Sequence, residues 1–238
     1  MSKVGSKISR FLRRLPQQRW RQSTPHPGLA AALGDAATAS SDIRDHLGLM
    51  FHEAVATRPR LLVELGTRGA ISLRALLAAA EVSDAHVLSV DIDDCSQVDL
   101  PEDLRKRCSF VQADDIAFAG RPFETFCAER KLPPQAEVIL VDTSHVLDHT
   151  RAELTHWIPR LAPHGVMMFH DTHMGNGWYR RLDGKVDPGW DNRRGVIQAI
   201  EERLGRRYDE TTLFADCAGG FAVYHVPWSN GFIVLRRL

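Results

Sequence analysis

Apolar residues along this chain fall into two patterns: short unbroken runs, and longer stretches in which they recur every three or four positions. The unbroken runs are Leu61-Leu62-Val63-Glu64-Leu65, His86–Val90, Cys108–Gln112, Val138–Val141 and Val166–Phe169. Runs of this length, bounded by glycine, proline or acids, read as parallel strands buried on both faces. The helical pattern fills the gaps between them. Ser41 or Asp42 can cap a helix in which Ile43, Leu47, Met50, Phe51 and Val55 recur until Pro59 stops it. Ile71–Ala80, Phe118–Arg130 (Phe123, Phe126 and Cys127 inward), His149–Leu161 (Leu154, Trp157, Ile158 and Leu161 on one side) and Val196–Leu204 follow, and Pro163 and Gly165 turn the chain into the fifth strand. Leu213–Phe214, Gly220–Val226 and Phe232–Leu235 read as short closing strands. Strands alternating with helices predict an α/β fold, a doubly wound and mostly parallel sheet.

Three stretches break the alternation. Residues 1–21 carry only positive charges, with Ile8, Phe11, Leu12 and Leu15 at helical spacing, so a short basic amphipathic helix is expected there. Its reading is either a solvated arm that packs on its own domain or a weak peripheral contact with anionic lipid or a partner subunit. Ser23 to Ser41, small-residue-rich with Pro25, Pro27, Gly28 and Gly34, reads as a linker. This divides the chain into an arm and linker over residues 1–40 and one domain over 41–238. Met174 to Arg194 is polar, rich in glycine and aromatics, and reads as a lid or substrate loop.

The whole chain has 238 residues, enough for one sizeable α/β core. Lys plus Arg equal Asp plus Glu at 30 each, which offers nucleic acid no general attraction. Four cysteines without C-x-x-C spacing make a disulfide framework implausible and suit a reducing cytoplasm. No apolar run approaches the roughly 20 residues of a membrane span, and the N-terminus lacks a signal-peptide core.

Chemistry collects where the strands end. The first strand runs into Gly66-Thr67-Arg68-Gly69, a turn that lets backbone approach a ligand and presents free N–H groups. The second ends at Asp91, the third at Asp114, the fourth at Asp142, and the fifth at His170-Asp171-Thr172-His173. In an open α/β sheet these carboxyl ends line the ligand crevice, so Asp142, His145, His170, Asp171 and His173 are expected to converge. A Rossmann pyrophosphate site needs G-x-G-x-x-G, and only Gly66-x-x-Gly69 is present. Acids at Glu64, Asp91 and Asp114 suit instead a ligand with an amino group, a ribose diol and an adenine amine, which is S-adenosylmethionine. His149, His156 and His164, on or near a helix, read as structural or solvent-facing.

Val63-Glu64-Leu65-Gly66-Thr67-Arg68-Gly69, Val90-Asp91, Val141-Asp142-Thr143-Ser144-His145 and Leu161-x-Pro163-x-Gly165 followed by His170-Asp171 resemble a class I S-adenosylmethionine-dependent methyltransferase. The branch it is most similar to is often labelled "cephalosporin hydroxylase", related to macrolide-sugar and rhamnosyl O-methyltransferases. The resemblance covers roughly residues 41–226. It implies a Rossmann-like seven-stranded sheet with a reversed last strand, a homo-oligomer, and a cofactor held by Glu64, Gly66, Thr67, Arg68, Gly69, Ser72, Asp91, Asp114 and Asp142. It further implies a divalent metal, Mg²⁺ or Mn²⁺, on Asp142, His170 and Asp171, with His145 as general base. His170 departs from the acid usual at its position, and a nitrogen ligand favours Mn²⁺ or another transition metal over Mg²⁺. The expected acceptor is a hydroxyl of a sugar, glycoside or natural product, contacted by His173, Trp178 and Tyr179. The alternatives are a metal-independent methyltransferase, a non-haem iron hydroxylase, which the predicted parallel sheet opposes, and a non-catalytic assembly subunit.

Overall fold

The computed structural model describes residues 26–39, 41–173, 178–180, 186–188 and 194–238, the two short segments 178–180 and 186–188 by their backbone alone. The basic stretch at 1–21 and most of the Met174–Arg194 segment therefore lie outside the described residues. Among those described, no helix is long and apolar enough to cross a membrane.

One eight-stranded sheet forms the centre. In chain order its strands are β1 (Leu61–Leu65), β2 (His86–Asp91), β3 (Cys108–Gln112), β4 (Ala136–Val141) and β5 (Leu161–His170), then β8 (Phe214–Ala218), β9 (Phe221–Val226) and β10 (Phe232–Arg237). A separate two-stranded ribbon pairs β6 (Trp178–Arg180) with β7 (Val186–Pro188). The spatial order is β3-β2-β1-β4-β5-β10-β9-β8. The first five strands are mutually parallel, whereas β10 lies antiparallel to β5, and β9 and β8 continue antiparallel beyond it. The expected sheet with its reversed strand is present, with eight strands instead of seven. The addition is β8, which pairs with β9 across the Gly219-Gly220 turn.

The apolar runs are unbroken because helices cover both faces. Leu61, Val63 and Leu65 face one core and Leu62 the other; Ile139 and Val141 separate in the same way from Val138 and Leu140. On one side lie α1 (Pro27–Ala39), α2 (Leu47–Thr57) and α3 (Ile71–Ser83). On the other lie α6 (Arg121–Glu129), α7 (Leu147–Trp157) and α8 (Gly195–Leu204). Two four-residue helices, α4 (Glu102–Arg105) and α5 (Asp115–Phe118), flank β3.

Helix α1 corrects the linker expected over Ser23–Ser41. Six alanines and Leu29 and Leu33 outweigh the isolated Gly28 and Gly34, and Pro27 sits at the first position, where its missing N–H costs nothing. Its buried face is made of small groups, Leu29, Ala32 and Ala36, which permits close approach to α3: a Cβ at Gly28 would stand 3.0 Å from the Cβ of Ala78. The helix expected over Phe118–Arg130 is broken into α5 and α6 around Gly120, with Pro122 in the first turn of α6. The helix expected from Ser41 begins instead as a 3-10 turn, Asp42–His46, before α2. Pro163 and Gly165 lie within β5, where its register against β4 shifts.

Candidate active site

The chain reverses its direction of strand addition between β1 and β4, so a crevice opens at their carboxyl ends. Gly66 leaves β1 at φ +88°, and a Cβ there would lie 2.1 Å from the carbonyl oxygen of Asp142. Only glycine fits both demands. The Gly66 N–H donates to the Val90 carbonyl (2.9 Å), and the Asp142 N–H to the Leu65 carbonyl (2.9 Å). The turn is thus fastened to its neighbours on both sides.

A cavity of about 290 Å³ opens over this turn, walled by Gly66, Arg68, Asp91, Asp114, Asp142 and His149 among others. It matches the small end of ligand pockets. Asp91 already holds the turn: its Oδ2 accepts from the Thr67 N–H (2.7 Å) and the Arg68 N–H (3.1 Å), and its Oδ1 from the Asp93 N–H (2.9 Å). Asp114 caps α5 by accepting from the Ala117 N–H (2.8 Å). Ser144 also lines the cavity, and its buried hydroxyl has no partner among the described residues. A polar ligand with hydroxyl and amine groups would satisfy both the acids and that orphaned oxygen.

Four residues assigned to the cofactor from sequence do not line this cavity. Glu64 is fully buried beneath the turn, accepting from the hydroxyls of Ser72 (2.7 Å) and Ser89 (2.6 Å). Thr67 is buried with its hydroxyl 2.6 Å from that of Ser89, and Gly69 stands open at the far side of the turn. Thr67, Ser89, Glu64 and Ser72 form a buried hydroxyl–carboxyl chain that stiffens the turn from below.

Burial pushes the Glu64 carboxyl up to about 8 from an ordinary 4.5, against the lowering effect of the two serine hydroxyls. The folded state therefore keeps a proton that the unfolded chain releases above about 4.5, so stability falls as pH rises from about 4.5 toward 8. Glu64→Gln, which keeps the shape and cannot ionise, is expected to flatten that slope. Urea midpoints at pH 5.5 and 8 check it: the variant's advantage over the natural chain should widen from the lower pH to the higher by a gap on the order of a few kcal/mol.

Beyond Asp142 the cavity wall meets a cluster of imidazoles and carboxylates. Asp142 Oδ1 lies 3.1 Å from His145 Nε2 and 3.3 Å from His170 Nδ1. His145 Nε2 is also 3.2 Å from Asp171 Oδ2, and His170 Nδ1 is 3.6 Å from the same atom. All but Asp142 are buried, and Asp142 is nearly so. Burial alone would raise Asp142, yet hydrogen bonds from His145 and His170 and their charge hold it well below the usual carboxylate range. Burial opposes charge on both imidazoles too, but Asp142 and Asp171 raise them, His170 to about 9. Asp171 moves up because desolvation outweighs the two imidazoles.

The backbone gives two of these side chains their aim at a cost. His145 (φ 58°) and Asp171 (φ 56°) both occupy the left-handed region, unfavourable for residues with a Cβ. The start of α8 presses on the first: a Cβ at Gly195 would stand 2.1 Å from the His145 carbonyl oxygen. The turn after β9 holds the rest, because the Ser229 carbonyl accepts from His170 Nε2 (3.1 Å) and His46 Nε2 (3.3 Å). Ser229 and Asn230 are tied in turn to Asp45 and Asp42.

This donor set fits a divalent ion. Asp142, His145 and Asp171 present ligand atoms within 4.8 Å of one another, as do Asp42, His170 and Asp171. Asp171 Oδ1 is buried with no hydrogen-bond partner among the described residues. His170 turns Nδ1 to the carboxylates and gives its Nε2–H to a backbone carbonyl, the arrangement that fixes a metal-binding imidazole.

The structure places Asp142, His145, His170 and Asp171 side by side, the juxtaposition expected of neighbouring strand ends. His173 sits one step past them, half-buried, its N–H donating to the Asn230 carbonyl (2.6 Å), and does not line the cavity. The side chains of Trp178 and Tyr179 lie outside the described residues. Asp115, Thr143, Ser144, His46 and Ser229 were missed, and His149, read as structural or solvent-facing, lines the cavity. For His149 a signal existed: it stands four residues after His145 and four before Glu153.

A family model described as "Methyltransferase domain" matches residues 63–172, from β1 to the end of β5. A comparison with curated protein sequences returned no match. Among solved structures, the chain is similar to the O-methyltransferase from Bacillus cereus in complex with SAH, with a TM-score of 0.57, 12% identity and 97% of each chain covered. The O-methyltransferase TomG from Streptomyces achromogenes, involved in tomaymycin synthesis and solved with SAM, gives a TM-score of 0.56 at 13% identity, covering 100% of this chain and 99% of that one. MycE methyltransferase from the mycinamycin pathway, in complex with Mg, SAH and mycinamycin VI, gives 0.54 at 17% identity over 90% of this chain and 55% of that one. At these identities the likeness is one of fold, and it is the fold that the strand-end motifs imply.

Proposed function

With a methyltransferase domain over residues 63–172 and a class I methyltransferase fold throughout, we propose that this chain is an O-methyltransferase that moves the methyl group of S-adenosylmethionine to a hydroxyl of a small-molecule or glycan acceptor. One observation carries the reading: Asp142 walls the cavity and also contacts His145 and His170, so the methyl donor and the base share a boundary. Gly66, Arg68, Asp91 and Asp114 hold the donor, with Ser144 supplying a free hydroxyl. The acceptor's oxygen attacks the sulfonium methyl, the S–CH₃ bond breaks as the O–CH₃ bond forms, and the hydroxyl proton passes to His145. The products are a methyl ether and S-adenosylhomocysteine. Because the sulfonium is already activated, the chain's part is alignment and proton removal.

Asp142, Asp171 and His170 would hold a divalent ion, which when bound lowers the pKa of the acceptor hydroxyl. The nitrogen ligand favours Mn²⁺ or a later transition metal over Mg²⁺. The same residues support a metal-independent reading, since His145 Nε2 lies within 3.2 Å of Asp142 and Asp171, which orient the ring as a base needs. His173, Trp178 and Tyr179 are proposed to contact the acceptor, a sugar, glycoside or natural product, and the protein to act as a cytoplasmic homo-oligomer.

Incubation with methyl-labelled S-adenosylmethionine and hydroxylated acceptors, with products identified by mass, tests the reaction. Labelled methyl ethers are expected. Label found only on nitrogen or sulfur acceptors refutes O-methylation. A chelator is expected to cut turnover at least about tenfold, with recovery on adding Mn²⁺; full turnover without metal selects the unassisted reading.

A further inference from the structure

Where the cavity is walled by the segments that follow β3 and β4, α5 and α7 bring together three side chains that the proposed reaction does not use. His149 and Glu153 stand one turn apart on α7 and so share a face, and Asp115 opens α5 directly across from them. His149 Nε2 lies 3.0 Å from Asp115 Oδ1 and 3.5 Å from Glu153 Oε1, and all three donor atoms fall within 4.8 Å of one another. Tetrahedral zinc, with bonds of about 2.0–2.1 Å, sets its ligand atoms about 3.3 Å apart.

Two further features single this group out from an ordinary surface cluster. Asp115 and Glu153 are buried, and the second oxygen of each, Asp115 Oδ2 and Glu153 Oε2, is enclosed with no partner among the described residues. Buried carboxylate oxygens without partners are costly and call for a cation or a donor. The group also opens on one side only: Asp115 and His149 line the cavity while Glu153 closes the back, accepting from the Thr143 hydroxyl. Three protein ligands with one position facing a cavity is the arrangement of an open zinc site.

We propose that Asp115, His149 and Glu153 form a second cation site, for Zn²⁺ or a similar transition metal, that pins α5 to α7 along the cofactor cavity. It shares no ligand with the Asp142 cluster, and it does not depend on the reaction proposed above. A metal here joins the wall after β3 to the wall after β4, so its loss would loosen the cavity without removing the base.

Equilibrium dialysis of the full chain against Zn²⁺, with bound metal counted by mass spectrometry, tests the site. Beside any equivalent held by the Asp142 cluster, the natural chain is expected to take up one further equivalent that survives Asp142→Asn and is lost in His149→Ala, with affinity falling at least about a hundredfold. Glu153→Gln, which can keep the Thr143 contact, is expected to weaken the same equivalent, and guards against a folding defect in the alanine variant. Co²⁺ loaded into Asp142→Asn should give the visible bands of a four-coordinate centre, absent when His149→Ala is added. Zinc uptake unchanged by both His149→Ala and Glu153→Gln, or uptake that vanishes entirely in Asp142→Asn, overturns the proposal. Methyl transfer that fails altogether leaves this stoichiometry untouched, so the two readings fail separately.

Discussion

Replacing His145 with alanine is expected to lower kcat for methyl transfer by about 10²- to 10⁴-fold, the range a positioned proton acceptor contributes. Binding of S-adenosylmethionine, read by calorimetry, should stay within a few-fold, because His145 is not among the residues walling the cavity. The split follows from the geometry. Among the described residues His145 Nε2 is the one imidazole nitrogen within 3.2 Å of both Asp142 and Asp171, whereas His170 gives its Nε2–H to the Ser229 carbonyl and is held as a support. A His145→Ala variant with full turnover would remove the base from the mechanism. Loss of cofactor binding with the turnover would show that the residue holds the Asp142 wall in place and transfers no proton.

The central strands β1, β2, β4 and β5 were legible because they are covered on both faces, which leaves a largely apolar run with a chemical residue at its end. Asp142, His145, His170 and Asp171 could be gathered from that rule alone: β4 and β5 are neighbours, and their ends must meet. Helix α1 escaped because its buried face, Leu29, Ala32 and Ala36, carries little hydrophobic contrast; Pro27, Gly28 and the mid-helix Gly34 mimicked a linker. His46 and Ser229 escaped for another reason. They are 183 positions apart, and only the return of β10 beside β5 sets the Ser229 carbonyl against the rings of His46 and His170. No local pattern marks such a contact. The roles of Glu64 and Ser72 were misread because a motif gives their place on β1 and α3 but not whether the side chain points to ligand or core; here both point into the core.

The two glycines of Gly66-x-x-Gly69 look equivalent in sequence, and the structure separates them. Gly66→Ala is expected to cost about 2–6 kcal/mol, combining a non-glycine residue at φ +88° with a Cβ 2.1 Å from the Asp142 carbonyl oxygen and 2.8 Å from its carbon. In a chain of this size that lowers Tm by roughly 4–24 °C. A Cβ at Gly69 meets nothing within 4 Å, and Gly69→Ala should leave Tm within about 2 °C. Activity should follow a different path from stability. The Gly66 methyl pushes on the peptide that carries Asp142, which both walls the cavity and anchors His145 and His170. Cofactor affinity and kcat should therefore fall together in Gly66→Ala, even at temperatures where it remains folded. Differential scanning calorimetry and cofactor titration on the two variants provide the check. If Gly66→Ala melts like Gly69→Ala, the close contact between the β1 turn and the end of β4 is wrong, and with it the shared boundary on which methyl donor and base are proposed to meet.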